Sequence, residues 1–138
     1  MALKRRTSGG RAAQSLVLAT LVWSAGQRLD AHHSLAAFET STRVTVAGKV
    51  AALDWGNPHV IVEIDGAEDN GGVRRWTVEL ASPTVLARAG WKSSDLKYGD
   101  SVSVVVNPLK NGDAGGLLVQ ATLADGRVLE GGSASRSL

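Results

Sequence analysis

Three histidines are the side chains of this sequence best suited to bind a metal ion. His32 and His33 are adjacent in the stretch "RLDAHHSLAAF", and His59 follows the turn-forming dipeptide Asn57-Pro58. If processing made His32 the first residue, its α-amine and imidazole could chelate one ion, and another imidazole would complete a T-shaped set of three nitrogens. Such ligands suit copper, nickel or zinc, and copper(II) binds most tightly among these divalent ions. The sequence therefore predicts a copper(II) or zinc site at His32, His33 and His59.

Several polar side chains near the histidines in the sequence could support such a site. Asp54 and Glu39 carry carboxylates that could add an oxygen ligand or orient an imidazole, and Asn57 lies in the predicted turn. The alternative interpretation has no metal ion. In that case the adjacent histidines are solvated, and His59 hydrogen-bonds to the turn beside it.

Trp55, Trp76 and Trp91 form a second group of residues with a binding role to consider. Trp55 and Trp91 fall in predicted loops, where an exposed indole can stack on a sugar or a peptide. Both could instead close one end of a small barrel, which is the preferred interpretation. Trp76 alternates with apolar residues, so we predict that it packs in the core.

Composition excludes several kinds of chemistry. The chain has no cysteine, which excludes thiolate zinc sites, iron–sulfur clusters and thiol catalysis, and its one methionine is the initiator. The sequence has neither a GxSxG motif nor a phosphate-binding glycine loop. The carboxylates of Asp54, Glu63, Asp65 and Glu79 are scattered and are predicted to be solvated rather than paired as in a hydrolase. These features favour binding over catalysis, and an oxidative copper enzyme remains an alternative without a recognisable substrate surface.

Residues 1–31 have the organisation of a secretory signal: a basic start, an apolar run over 15–23, and a short polar end. The apolar run is shorter than the roughly 20 residues that span a bilayer, so no stable anchor is predicted after cleavage. The mature protein is predicted to be periplasmic or secreted; an uncleaved anchor or a disordered tail is the alternative. Cleavage fits after Ala31 or after Gly26, and only the first exposes His32.

Removal of this leader reverses the sign of the net charge. The leader has five Lys or Arg and one Asp, a net of +4, whereas the whole chain is +2, which leaves −2 for the remainder. Binding to phosphates requires a cationic face, so a mildly acidic domain is not predicted to bind nucleic acid. The expected partner is instead an unidentified periplasmic protein or a small ligand.

Apolar residues alternate with a period of two along most of the mature chain, which predicts β-strands. The strands are predicted at residues 44–53, 59–65, 73–80, 101–106 and 117–123. Gly48 interrupts the first strand, and a glycine at such a position is typical of a bulge or of a bend in a barrel.

A short helix is predicted between the third and fourth strands, with Ser82 as N-cap, Pro83 as first residue and Gly90 at its end. Three strands, a helix and two strands is the order of an OB-type barrel. We therefore predict a mainly β fold, a five-stranded OB-like barrel over residues 32–131, followed by a disordered tail over 132–138. A small open sandwich is the alternative.

Four segments together resemble one family of bacterial secreted proteins. These segments are "AHHSLAAF", "DWGNPHVIVEI", "WTVELASPTVLARAGWKSSDLKYGD" and "LADGRVLEGG". In order and spacing they are similar to domain-of-unknown-function family 6152, over about residues 31–132. Leu35 stands where Phe is more usual, and Tyr98 where Pro is common. The resemblance implies export, a small β-rich domain and cleavage after Ala31; it implies no particular activity.

Overall fold

The computed structural model describes residues 35–68 and 70–132. The predicted leader, the His32–His33 pair and residues 133–138 of the predicted tail lie outside this part of the chain. Within it, a single 3-10 turn over Leu35–Ala37 precedes three strands, a short α-helix and three further strands. Their bounds are β1 (Val44–Asp54), β2 (Ile61–Ala67), β3 (Val73–Glu79), α1 (Pro83–Arg88), β4 (Ser101–Pro108), β5 (Gly115–Leu123) and β6 (Val128–Glu130).

The strands form one closed sheet. Their order is β3-β2-β1-β4-β5-β6, and an additional pairing of β3 with β5 closes the first five strands into a barrel. The β3–β5 pairing is parallel, and the other pairings are antiparallel. This connectivity, with α1 between β3 and β4, is that of an OB-type barrel and confirms the predicted fold. The short strand β6 extends the edge of β5 beyond the five predicted strands.

The interior of the barrel is filled by alternate residues of the strands, as the period of two predicts. Val62 and Ile64 of β2 are buried, as are Val104 and Val106 of β4. Trp76, predicted to pack in the core, is only half-buried and packs at the margin of the core.

Gly48 lies where β1 passes from one half of the barrel to the other. β1 pairs with β4 up to Lys49 and with β2 from Gly48 onward, so both neighbours meet it at this point. A Cβ atom at Gly48 would overlap the carbonyl oxygen of Asp65. The absence of a side chain therefore allows the close approach of β2, and the register of the β1–β2 pair shifts between Val50 and Ala52.

The helix α1 begins and ends near the predicted residues. Ser82 occupies the N-cap position, but its side chain makes no capping hydrogen bond. Its carbonyl oxygen accepts a hydrogen bond from the Leu86 N–H at 3.0 Å. Leu86 is fully buried, and Gly90 follows the helix with a φ of +95°. Among the described residues, no helix is long and apolar enough to cross a bilayer.

The segment that precedes β1 is attached to the loop between β4 and β5. Phe38 forms an isolated β-bridge with Leu109, and the Lys110 N–H donates to the Ala37 carbonyl at 3.0 Å. The buried side chain of Asn107 donates to the carbonyl groups of Thr40 and Thr42, in the turn before β1, at 3.3 and 2.9 Å. These contacts hold the first described residues against one side of the barrel.

Candidate functional site

His59 and Glu79 form a close pair at one end of the barrel. His59 lies in the β1–β2 loop (residues 55–60), two residues before β2, rather than at the start of the strand. Its Nδ1 lies 2.5 Å from Oε1 of Glu79, with side-chain exposures of 42% for the histidine and 11% for the glutamate. This distance places the carboxylate of Glu79 at Nδ1 of the imidazole. Glu79 therefore engages Nδ1 and leaves Nε2 as the second nitrogen of the ring.

The register of the β2–β3 hairpin brings these two side chains together. Ile61 is directly opposite Glu79 in this antiparallel pair. The ladder continues one step beyond the strands, since the Leu80 N–H donates to the Val60 carbonyl at 2.8 Å. His59 is therefore diagonal to Glu79, and side chains at diagonal positions of a ladder are within reach of each other.

Glu79 contradicts the prediction of a solvated carboxylate, because the residue is only 8% exposed. It faces the outside of the barrel together with Thr77, and both line a cavity of about 510 Å³. The other walls of this cavity come from Ala37, Phe38 and the β4–β5 loop. The outer face of β3 is thus covered at this end by the segment that precedes β1.

The described residues contain one of the three predicted metal ligands. His32 and His33 lie outside the described part of the chain, so the structure reports only the position of His59. Within residues 35–68 and 70–132, no group of three or more His, Asp or Glu side chains is close enough together to hold a metal ion.

The supporting residues of the predicted site lie near the same end of the barrel. Asp54 is exposed at the end of β1, opposite Ile61, which in turn is opposite Glu79. Two strand spacings separate the Asp54 and Glu79 backbones, a distance of about 10 Å. Asn57 is exposed in the β1–β2 loop, and its peptide bond to Pro58 is cis.

Glu39 is committed to a local turn rather than to His59. Its carboxylate accepts hydrogen bonds from the Ser41 hydroxyl at 2.6 Å and from the Ser41 N–H at 3.3 Å. These bonds, that from the hydroxyl first, lower the pKa of the Glu39 carboxyl.

The two loop tryptophans differ in exposure. Trp91 is 3% exposed, and its indole N–H donates to the Glu130 carbonyl at 2.8 Å, so it belongs to the core. Trp55 is half-buried, packs against the core and also lines a groove of about 730 Å³ beside α1. The Arg74 guanidinium makes a cation–π contact with Trp76, at 5.8 Å from the ring centroid.

A second charged cluster lies on the outer surface of the same β2–β3 hairpin. Arg75 donates two hydrogen bonds to Asp65, at 2.8 and 3.0 Å, and one to Glu63 at 3.2 Å. The hydrogen bonds from Arg75, more than its charge alone, lower the pKa of the Asp65 carboxyl, and the same bonds raise the pKa of Arg75. Each carboxylate of this cluster contacts the one guanidinium, so the cluster as a whole keeps one negative charge.

The role of Glu79 is the feature that the sequence interpretation missed. A signal for it does exist in the hairpin loop "GAEDNGG", because a hairpin centred on Asn70 pairs residue 61 with residue 79. That register predicts the proximity of His59 and Glu79. It does not predict burial of the carboxylate, which depends on a segment distant in sequence.

Comparison with known proteins identifies a family but no characterised relative. The model of a family of unknown function, DUF6152, matches residues 19–120 of the 138. No curated protein and no solved structure matches the chain.

Proposed function

The chain belongs to the DUF6152 family, whose function is unknown, and we propose that its small β-barrel is an exported domain that binds one copper(II) or zinc ion. The ligands in this proposal are His59, His33 and the amine and imidazole of an N-terminal His32.

The contact between His59 and Glu79 carries the proposal. Histidines that bind metals usually donate their second ring N–H to a carboxylate, which fixes the ring orientation and makes the metal-binding nitrogen more basic. Glu79 is buried and engages Nδ1, while the imidazole is 42% exposed. Nε2 of His59 is therefore the nitrogen available to a metal ion.

The attachment of the segment before β1 also supports the proposal. Ala37 and Phe38 line the same cavity as Glu79, and the contact between Glu79 and His59 joins that cavity to the imidazole. His33 precedes Leu35, the first described residue, by two residues. The two histidines are therefore close in sequence to a segment that lines the cavity beside Glu79, which favours their joining His59 in one site.

The chemistry of these ligands selects the metal. An amine and imidazoles are nitrogen donors of intermediate softness, which suit copper(II) and zinc. The chain has no cysteine, and its only methionine is the initiator, so it has no soft ligand set for copper(I).

The proposal is tested by expressing the full chain with its leader, without a tag, and analysing the exported protein by native mass spectrometry. We expect a chain that begins at His32 and holds one copper or zinc ion. His59→Ala should weaken metal binding by more than about 100-fold, because it removes a direct ligand rather than an outer partner. Lys97→Ala, an exposed change outside the β1–β2 loop, is the control and should leave the affinity unchanged.

Two results would contradict this function. One is a mature chain that begins at Gln27, because His32 would then have no free α-amine. The other is wild-type affinity in His59→Ala, or a correctly processed protein that stays metal-free when copper(II) and zinc are supplied. Either would favour a periplasmic ligand- or protein-binding barrel without a metal ion.

A further inference from the structure

A groove beside α1 combines an indole with two cations. Its volume is about 730 Å³, and Trp55, Arg88 and Lys92 line it. Thr84 and Ser93 add hydroxyl groups to its walls. None of these residues belongs to the His59–Glu79 pair or to the cavity beside it.

Carboxylates neutralise the other paired arginines, but they do not neutralise the two cations of the groove in the same way. Arg88 is exposed at the end of α1, and its guanidinium has no carboxylate partner among the described residues. Lys92 is exposed and acts electrostatically on Asp95. The carboxylate of Asp95 is already engaged, since it accepts hydrogen bonds from the Lys92 N–H at 2.7 Å and from Arg127 at 2.9 Å. An anion in the groove would therefore meet positive charge that the fold leaves available.

The indole of Trp55 supplies an apolar surface next to these cations. Trp55 is half-buried, so part of it packs on the core while another part lines the groove. Trp91, by contrast, is almost completely buried, and its N–H is satisfied by the Glu130 carbonyl. Trp91 also lines the groove, but Trp55 is the more exposed of the two indoles and offers a ligand the larger surface.

We propose that this groove binds an anionic saccharide whose ring stacks on Trp55 and whose carboxylate pairs with Arg88 and Lys92. The flat guanidinium of Arg88 matches a carboxylate through two parallel hydrogen bonds, and Lys92 adds a point charge. Thr84 and Ser93 offer partners to the sugar hydroxyls. A stretch of acidic peptide would supply the carboxylates but has no flat ring to cover the indole.

The test is calorimetric titration of the exported protein with trigalacturonate, with neutral maltotriose and with triglutamate. Trigalacturonate should bind at least about tenfold more tightly than either of the others, a difference of about 1.4 kcal/mol. Its affinity should fall as sodium chloride is raised, because exposed charges are screened.

Charge-removing variants locate the site. Arg88→Gln and Lys92→Gln should each weaken trigalacturonate binding about tenfold, since each removes a charged partner. Arg43→Gln and Lys97→Gln are matched controls, exposed and outside the groove, and should bind as the wild type does. Trp55→Leu should abolish binding; because Trp55 also packs on the core, the two charge variants decide the question if this protein does not fold.

Three outcomes would overturn the proposal. Equal affinity for triglutamate would replace the saccharide with an acidic polypeptide. Wild-type affinity in both charge variants would place the binding site elsewhere on the protein. No binding of trigalacturonate to the wild type would rule out the proposal. His59→Ala should bind trigalacturonate normally, so failure of the metal proposal is distinguishable from failure of this one.

Discussion

The β2–β3 hairpin carries two acid–base pairs that differ in what they leave available. Arg75 with Asp65 and Glu63 lies on the exposed outer surface, where each charge meets an opposite one within the cluster. His59 and Glu79 lie at the end of the same hairpin, where the carboxylate is buried and the imidazole is partly exposed. In the first group each charge contacts an opposite charge of the same group. In the second, Glu79 contacts Nδ1 of His59 and leaves Nε2 without a contact from this carboxylate.

The difference comes from what covers each pair. Residues 35–38 and the β4–β5 loop cover the outer face of β3 at Glu79, and solvent covers it at Arg75. Exposed ion pairs contribute little to stability, because water and salt screen them. A buried carboxylate needs a partner, and the contact with His59 gives one to Glu79. Charge pairs on one ladder can thus have a positioning role or only a surface role.

The largest expected effect that separates the pairs is on metal affinity. Glu79→Gln should weaken binding of copper(II) or zinc by about 10- to 100-fold, because the carboxylate orients His59 and increases its basicity. Competition titration with a chelator of known affinity measures the change. Glu63→Gln, which alters the surface cluster on the same hairpin, should leave the affinity unchanged. A Glu79→Gln protein with wild-type affinity would show that the contact with His59 has no positioning role.

The next effect is on acid stability and belongs to the surface cluster. The pKa of Asp65 is lowered in the folded protein by hydrogen bonds from Arg75. Its contribution to stability is therefore present above the unfolded pKa of about 3.9 and is lost as pH falls through the lower folded pKa. Asp65→Asn should be less stable than the wild type at pH 6, and this difference should shrink toward pH 2.5.

Urea unfolding midpoints between pH 2.5 and 6 measure this effect. Arg75→Gln should reproduce the same convergence, because it removes the hydrogen bonds that lower the pKa of Asp65. A stability difference that stays constant over the whole range would contradict the assignment of the shift to this pair.

The smallest effect is the salt dependence of the surface cluster. Arg75→Gln should lower Tm by about 2 °C or less at low ionic strength, since the pairs are exposed. The difference should disappear in 1 M sodium chloride, where charges are screened within about 3 Å. Thermal unfolding at the two salt concentrations measures it, and a large loss that persists in high salt would mean that Arg75 has a packing role.

Much of the barrel follows from local patterns. The alternating apolar residues of β2 and β4 predict which side chains fill the interior, because strand side chains alternate between two faces. Ser82-Pro83 and Gly90 predict the position of α1, since each acts on backbone conformation within one turn. The order of these elements is enough to predict an OB-type barrel.

The site is less predictable than the fold. His59 is identifiable from the sequence as a candidate metal ligand, because histidine is rare in this sequence and this one follows a turn. Glu79 alternates outward with Thr77 and resembles any solvated strand residue, so the hairpin register indicates its position near His59 but nothing in the local sequence indicates its burial. Trp55 and Trp91 also look alike in sequence, and only the tertiary structure shows that Trp91 is buried while Trp55 keeps an exposed surface in the groove that both line.

By itself, the sequence determined the strands, the helix and the supply of nitrogen ligands, because these depend on residue type and on short-range periodicity. The tertiary structure decided that the carboxylate beside His59 is buried. The register of β2 with β3 brings Glu79 to the imidazole. Phe38 and the β4–β5 loop, 30 or more residues away along the chain, then cover it. Burial depends on contacts between segments distant in sequence, and no local pattern encodes them.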